Sequence, residues 1–75
     1  MDNKFVEIVA NVLKVDPKIL DENSTADTTP GWDSLMHWAV ISDLEDIYGV
    51  EFTMDEATSF KNLGDIYNTL VKQME

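Results

Sequence analysis

Apolar residues recur along the chain at helical spacing, and polar stretches without any period separate the runs. Phe5, Ile8, Val9, Val12 and Leu13 follow an i, i+3, i+4, i+7, i+8 pattern with Val6 at the edge, while Glu7, Asn11 and Lys14 occupy the other side. This predicts an amphipathic first helix, capped by Asp2 or Asn3 and ending near Lys14 or Val15. Asp16-Pro17 opens a further turn, with the acid as cap and proline at the first helical position. Ile19 and Leu20 are expected to tuck that turn against the core. Residues 21–31 carry no apolar period and end in Pro30-Gly31, which predicts a long loop.

The longest run begins after Trp32-Asp33-Ser34 and stops at Gly49. At 100° per residue, Ile47, Val40, Leu44, Tyr48, Ile41 and Trp38 share an arc of roughly half the circumference. That places Trp38 in the core and leaves Trp32 to cover the loop-to-helix junction. The far side carries Asp43 and Asp46 together with Leu35, Met36 and Ala39. Val50 and Phe52 then return to the core. Thr53-Met54-Asp55-Glu56 has capping-box form and predicts a short third helix to about Ser59. Phe60 anchors the next bend. Asn62 caps a last helix whose apolar positions are Leu63, Ile66, Tyr67, Leu70, Val71 and Met74. No segment alternates as a strand would. The predicted fold is all-α, a small four-helix bundle of three longer helices and one short one, formed by residues 1–75 as a single domain.

Charge changes the picture. Fifteen acidic residues face five lysines, there is no arginine, and the net charge is −10. Nucleic-acid binding needs clustered Lys or Arg, so that class is disfavoured, as are anionic membrane surfaces. Partners with basic patches are favoured, with salt-sensitive association. With no cysteine there is neither a disulfide nor a thiolate metal site. No apolar stretch approaches the ~20 residues that span a bilayer, and the start lacks the form of a signal peptide. A cytoplasmic monomer is the expectation.

Asp33 and Ser34 stand at the start of the longest helix, and either side chain is able to cap it. A serine there holds its oxygen toward solvent at the positive end of the helix dipole. An anion bound to that oxygen is favoured by roughly 0.3–1 kcal/mol. Ser34 therefore has the character of an attachment site. Leu35, apolar yet directed outward beside it, is expected to dock a partner.

In a short acidic chain, Asp33-Ser34-Leu35 at the head of an apolar helix resembles the acyl carrier protein family, and the likeness covers nearly the whole chain. The resemblance implies a carrier rather than an enzyme. It implies a covalent 4′-phosphopantetheine arm on Ser34 whose thiol holds acyl groups as thioesters. A phosphopantetheinyl transferase would install the arm, assisted by Asp33, and acyl-loading and chain-modifying enzymes would act on the cargo. Docking would involve Leu35, Met36, Ala39, Glu45 and Asp46. Met36 and Ala39 stand where carriers of fatty-acid synthesis often place acids, and Trp32 where a small residue is usual. A polyketide, aminoacyl or other specialised pathway is thus as much in view as fatty-acid synthesis. A helical interaction module that never carries the arm is the alternative.

Two other chemistries fail on the residues. Ser34 and His37 are three apart, but a hydrolase needs a third group to hold the base and donors for an oxyanion. The only histidine falls inside the apolar arc, where it is expected half-buried with one nitrogen satisfied. Counting a calcium loop from Asp43 puts Tyr48 where glycine is required and Met54 where glutamate is required.

Overall fold

Every helix of the protein starts at a side chain that the sequence supplies locally. Asp2 Oδ1 accepts from the Phe5 amide at 2.8 Å and opens α1, Asn3–Leu13. Asp16 Oδ1 accepts from the Lys18 amide at 2.9 Å and sets a single 3-10 turn, Pro17–Ile19. Asp33 Oδ1 accepts from the Met36 amide at 2.8 Å and opens α2, Ser34–Tyr48. Thr53 and Glu56 bond each other's amides at 2.9 and 3.0 Å and open α3, Met54–Ser59. Asn62 Oδ1 accepts from the Asp65 amide at 2.9 Å and opens α4, Leu63–Met74. Each cap satisfies an amide that the helix itself leaves without an acceptor. The computed structural model describes residues 1–75, and it is all-α, as the periodicity predicts.

The core joins one stripe from each long helix. Phe5, Val9 and Leu13 of α1 meet Val40 and Leu44 of α2 and Leu63, Ile66 and Leu70 of α4, with Leu20 and Trp32 closing the ends. Phe5 meets Tyr67 edge-on, with ring centroids 5.0 Å apart. Ala10, outside the predicted apolar pattern, is buried as well, whereas Ile8 and Val12 within it are only half-buried. Burial pushes the Tyr48 hydroxyl above its usual pKa, with the Asp2 carboxylate adding to the effect.

Several apolar positions depart from expectation. The core-facing arc of α2 is rotated toward Met36, which packs against the core, and away from Trp38, which is 42% exposed. Trp32 is the buried tryptophan, at 6%. The two indoles thus exchange the places expected of them. Trp32 lies in a loop, where no helical period indicates direction, and the loop folds it inward. Ile19 is half-exposed while its neighbour Leu20 takes the inward position, because the 3-10 turn ends between them. Ile47 and Met74 are exposed near helix ends.

Residues 21–31 are fastened to the bundle through the main chain. The Glu22 and Ser24 carbonyls accept from the Gly64 and Leu63 amides at 2.9 and 2.8 Å. With Asn62 at Asp65, these bonds satisfy three first-turn amides of α4. A Cβ on Gly64 would lie 2.9 Å from the Glu22 carbonyl oxygen, so the approach requires glycine. Gly31, at φ +80, passes equally close to the Leu13 carbonyl at the end of α1. The linker before α3 is tied by Glu45, whose carboxylate accepts from the Phe52 amide at 2.9 Å. It is tied again by Gln73, whose side-chain amide pairs with both backbone groups of Glu51. Phe52 and Phe60 then meet edge-on at 5.7 Å across the short helix.

Candidate functional site

Asp33 has extended backbone and gives its carboxylate to the Met36 amide, so Ser34 becomes the first residue of α2. Of the two cap candidates the aspartate takes the role. The serine hydroxyl is thereby left out of capping, and Ser34 is exposed. The amides of Ser34 and Leu35 lie in the first turn, where no carbonyl of the helix reaches them. An oxygen-linked anion on Ser34 would meet the positive end of a helix of 15 residues.

Beside the serine opens a cleft of about 330 Å³ between α2, α3 and the 21–31 loop, lined by Trp32, Asp33, Ser34, His37, Trp38 and Lys61 among others. His37 crosses its floor. The Trp32 indole N–H donates to His37 Nδ1 at 3.2 Å, and His37 Nε2 lies 2.8 Å from the Ala57 carbonyl. An indole N–H only donates and a carbonyl only accepts, so the imidazole is neutral with its proton on Nε2. The Trp32 indole and the imidazole lie side by side and nearly coplanar, with centroids 6.1 Å apart, as that bond requires, and Trp38 meets the imidazole edge-on at 5.8 Å. Both histidine nitrogens are engaged, not one as expected. Neither is free to act as a base toward Ser34, so the arrangement offers no hydrolytic pair.

The expected docking residues separate into three groups. Leu35 stands out at 77% exposure and Asp46 is exposed, both open to a partner. Met36 is half-buried with its side chain on the core, and Ala39 is half-buried. Reading Met36 as an outward-facing residue is therefore corrected. Its position sits at the edge of the arc, where a small rotation turns it inward. Glu45 has one carboxylate oxygen committed to the Phe52 amide. Its first effect is to hold the linker. Ala57 and Lys61 belong to the site and were missed by sequence reasoning. A helix of six residues is too short to show a period, and nothing local tells which residues will face Ser34. No three His, Cys, Asp or Glu side chains come together to hold a metal ion, and no helix is long and apolar enough to cross a membrane.

Residues 3–70 match the family described as the phosphopantetheine attachment site. The chain is 33% identical over 72 residues to an acyl carrier protein of Syntrophobacter fumaroxidans, covering 96% of this chain and 89% of that one. It is similar also to the solution structure of holo acyl carrier protein from Geobacter metallireducens. That similarity has a TM-score of 0.87 at 29% identity, over 96% of this chain and 83% of the other.

Proposed function

The chain belongs to the phosphopantetheine-attachment family of the acyl carrier proteins, and from that membership we propose that Ser34 is the residue carrying its 4′-phosphopantetheine arm. The observation that carries the assignment is the exposed hydroxyl at the first position of α2, released from capping by Asp33 and open to the cleft. When bound, the group supplies a flexible thiol on which acyl cargo rides as a thioester.

The chain's own residues contribute position and charge. In the loading step the Ser34 Oγ–phosphorus bond forms as the pyrophosphate bond of coenzyme A breaks, adenosine 3′,5′-bisphosphate leaves, and the hydroxyl proton passes to solvent or to the transferase. Asp33 holds the first turn through Met36, keeping Ser34 outward. The unbonded amides of Ser34 and Leu35 offset the new anion, and Lys61 in the cleft wall brings a positive charge to the same region. The carboxylate of Asp33 opposes the anion, and the net charge of −10 opposes it at longer range. A transferase-bound cation or basic patch would relieve that repulsion.

Leu35 and Asp46 provide an apolar and an acidic contact for the transferase and for the enzymes that load and modify cargo. Met36 and Ala39 keep that part of α2 uncharged, which supports a specialised acyl or aminoacyl pathway over fatty-acid synthesis. We read residues 1–75 as one carrier domain acting as a cytoplasmic monomer without catalysis of its own. Incubation with coenzyme A and a broad-specificity transferase should raise the intact mass by one phosphopantetheine, and Ser34→Ala should abolish the gain. An unchanged mass for the parent protein would overturn the assignment.

A further inference from the structure

The groove between α2 and α3 is divided. The cleft that opens at Ser34 has about 330 Å³, and a second one of about 180 Å³ continues the groove, lined by Ile41, Ser42, Phe52 and Met54. Only Trp38 and Ala57 border both. They form the wall between the compartments: an indole from α2 on one side and the backbone and methyl of a buried alanine of α3 on the other. The wall is braced from beneath. His37 grips the Ala57 carbonyl at 2.8 Å, meets Trp38 edge-on, and is itself fixed by the Trp32 indole.

We propose that Trp38 is a specificity-determining residue that closes the cargo compartment beside Ser34, so that this carrier shelters short or compact acyl groups and leaves long straight chains in solvent. The proposal rests on attachment of the arm at Ser34. The occupant is the protein's own cargo, because an arm anchored at Ser34 on the rim of the compartment can fold back and bring its acyl end into it. Small-molecule sites generally begin near 300 Å³. The first cleft meets that threshold by itself, and the second falls below it. A chain that outgrows the first cleft meets, on the direct path to the second, an indole that packs edge-on against an imidazole bonded at both nitrogens. Removing the indole merges the compartments. Trp38 is 42% exposed, so its loss does not strip the core.

The test loads Ser34 with acyl-phosphopantetheine from acetyl-, butanoyl-, hexanoyl-, octanoyl- and decanoyl-coenzyme A, with intact mass verifying each product. Amide and indole shifts in 1H–15N spectra are then followed. In the parent protein, cargo should move the Thr58 and Lys61 signals, while Ser42 and Met54 stay still even with the decanoyl group. In Trp38→Ala, the longer chains should move Ser42 and Met54 as well. Shifts at Ser42 and Met54 in the loaded parent protein would overturn the wall. So would unmoved Thr58 and Lys61 signals for every chain length, which would mean that cargo never enters. Failure to gain mass would overturn the attachment reading together with this one, whereas correctly loaded protein with the wrong shifts overturns this one alone.

Discussion

Trp32 donates its indole N–H to His37 Nδ1 at 3.2 Å, so a loop residue and a helix residue are joined beside Ser34. The other nitrogen of the same ring holds α3 through Ala57. One imidazole thus connects three segments. In His37→Ala the indole and the Ala57 carbonyl both lose their partner, and each orphaned group costs about 1–3 kcal/mol where water does not replace it. Urea unfolding followed by tryptophan fluorescence should register a loss in that range. A loss below about 0.5 kcal/mol would mean that solvent already satisfies both groups.

The proposed division of labour between Asp33 and Ser34 separates stability from loading. Asp33→Ala removes the α2 cap and should lower stability by about 1 kcal/mol. Ser34→Ala removes no bond to the helix and should leave the melting temperature close to that of the parent, while the protein no longer accepts the arm. Thermal melting of both variants checks the pair. A large loss for Ser34→Ala alone would make the serine structural.

The two tryptophans should differ sharply. Truncating the buried Trp32 removes a large core side chain and should lose ~3–5 kcal/mol. That is a large part of what holds so small a protein together. Trp38→Ala should lose about 1 kcal/mol, the ordinary effect of a partly exposed substitution. Chemical denaturation of the two variants decides the order, and equal losses would contradict the burial.

Helix propensity and packing make opposite demands on Gly64. Alanine in a helix is preferred over glycine by about 1 kcal/mol. Here the added methyl would lie 2.9 Å from a backbone oxygen that is not free to swing aside. Overpacking of this kind costs about 1–3 kcal/mol, so the clash is expected to win. Gly64→Ala should destabilise the protein and speed hydrogen exchange at the Leu63 and Gly64 amides. A rise in stability would show that the 21–31 loop yields easily.

Acids outnumber lysines three to one, and one of the lysines, Lys4, lies over the Tyr48 ring instead of pairing with a carboxylate. Self-repulsion is screened by salt over a Debye length of about 10 Å at 0.1 M. The melting temperature should therefore rise with sodium chloride, and further with magnesium at equal ionic strength. A flat response in calorimetry would show that the repulsion is already balanced.

The start of each helix was legible in the sequence because capping is local: Asp16, Thr53 with Glu56, and Asn62 by residue, and Asp2 and Asp33 to within one position, each acting within four residues. The stripes of α1 and α4 were legible for a similar reason, since period alone gives direction. Trp32 was not, because a loop residue has no period and its burial depends on where the loop folds. Trp38 and Met36 were misplaced because they sit at opposite edges of one arc, where a rotation of a few tens of degrees exchanges inside for outside. The cleft beside Ser34 was invisible, since four of the ten residues that line it come from α3 and the bend that follows, about 25 residues further on.

Gly31 touches the end of α1 with backbone alone, and no side chain fits between it and the Leu13 carbonyl. The segment leading to the serine is therefore registered on the first helix by the main chain. Exterior side chains along α2 are free to change without displacing the Ser34 oxygen. On the proposed assignment, substitutions there would alter which enzymes dock while the Ser34 hydroxyl keeps its place.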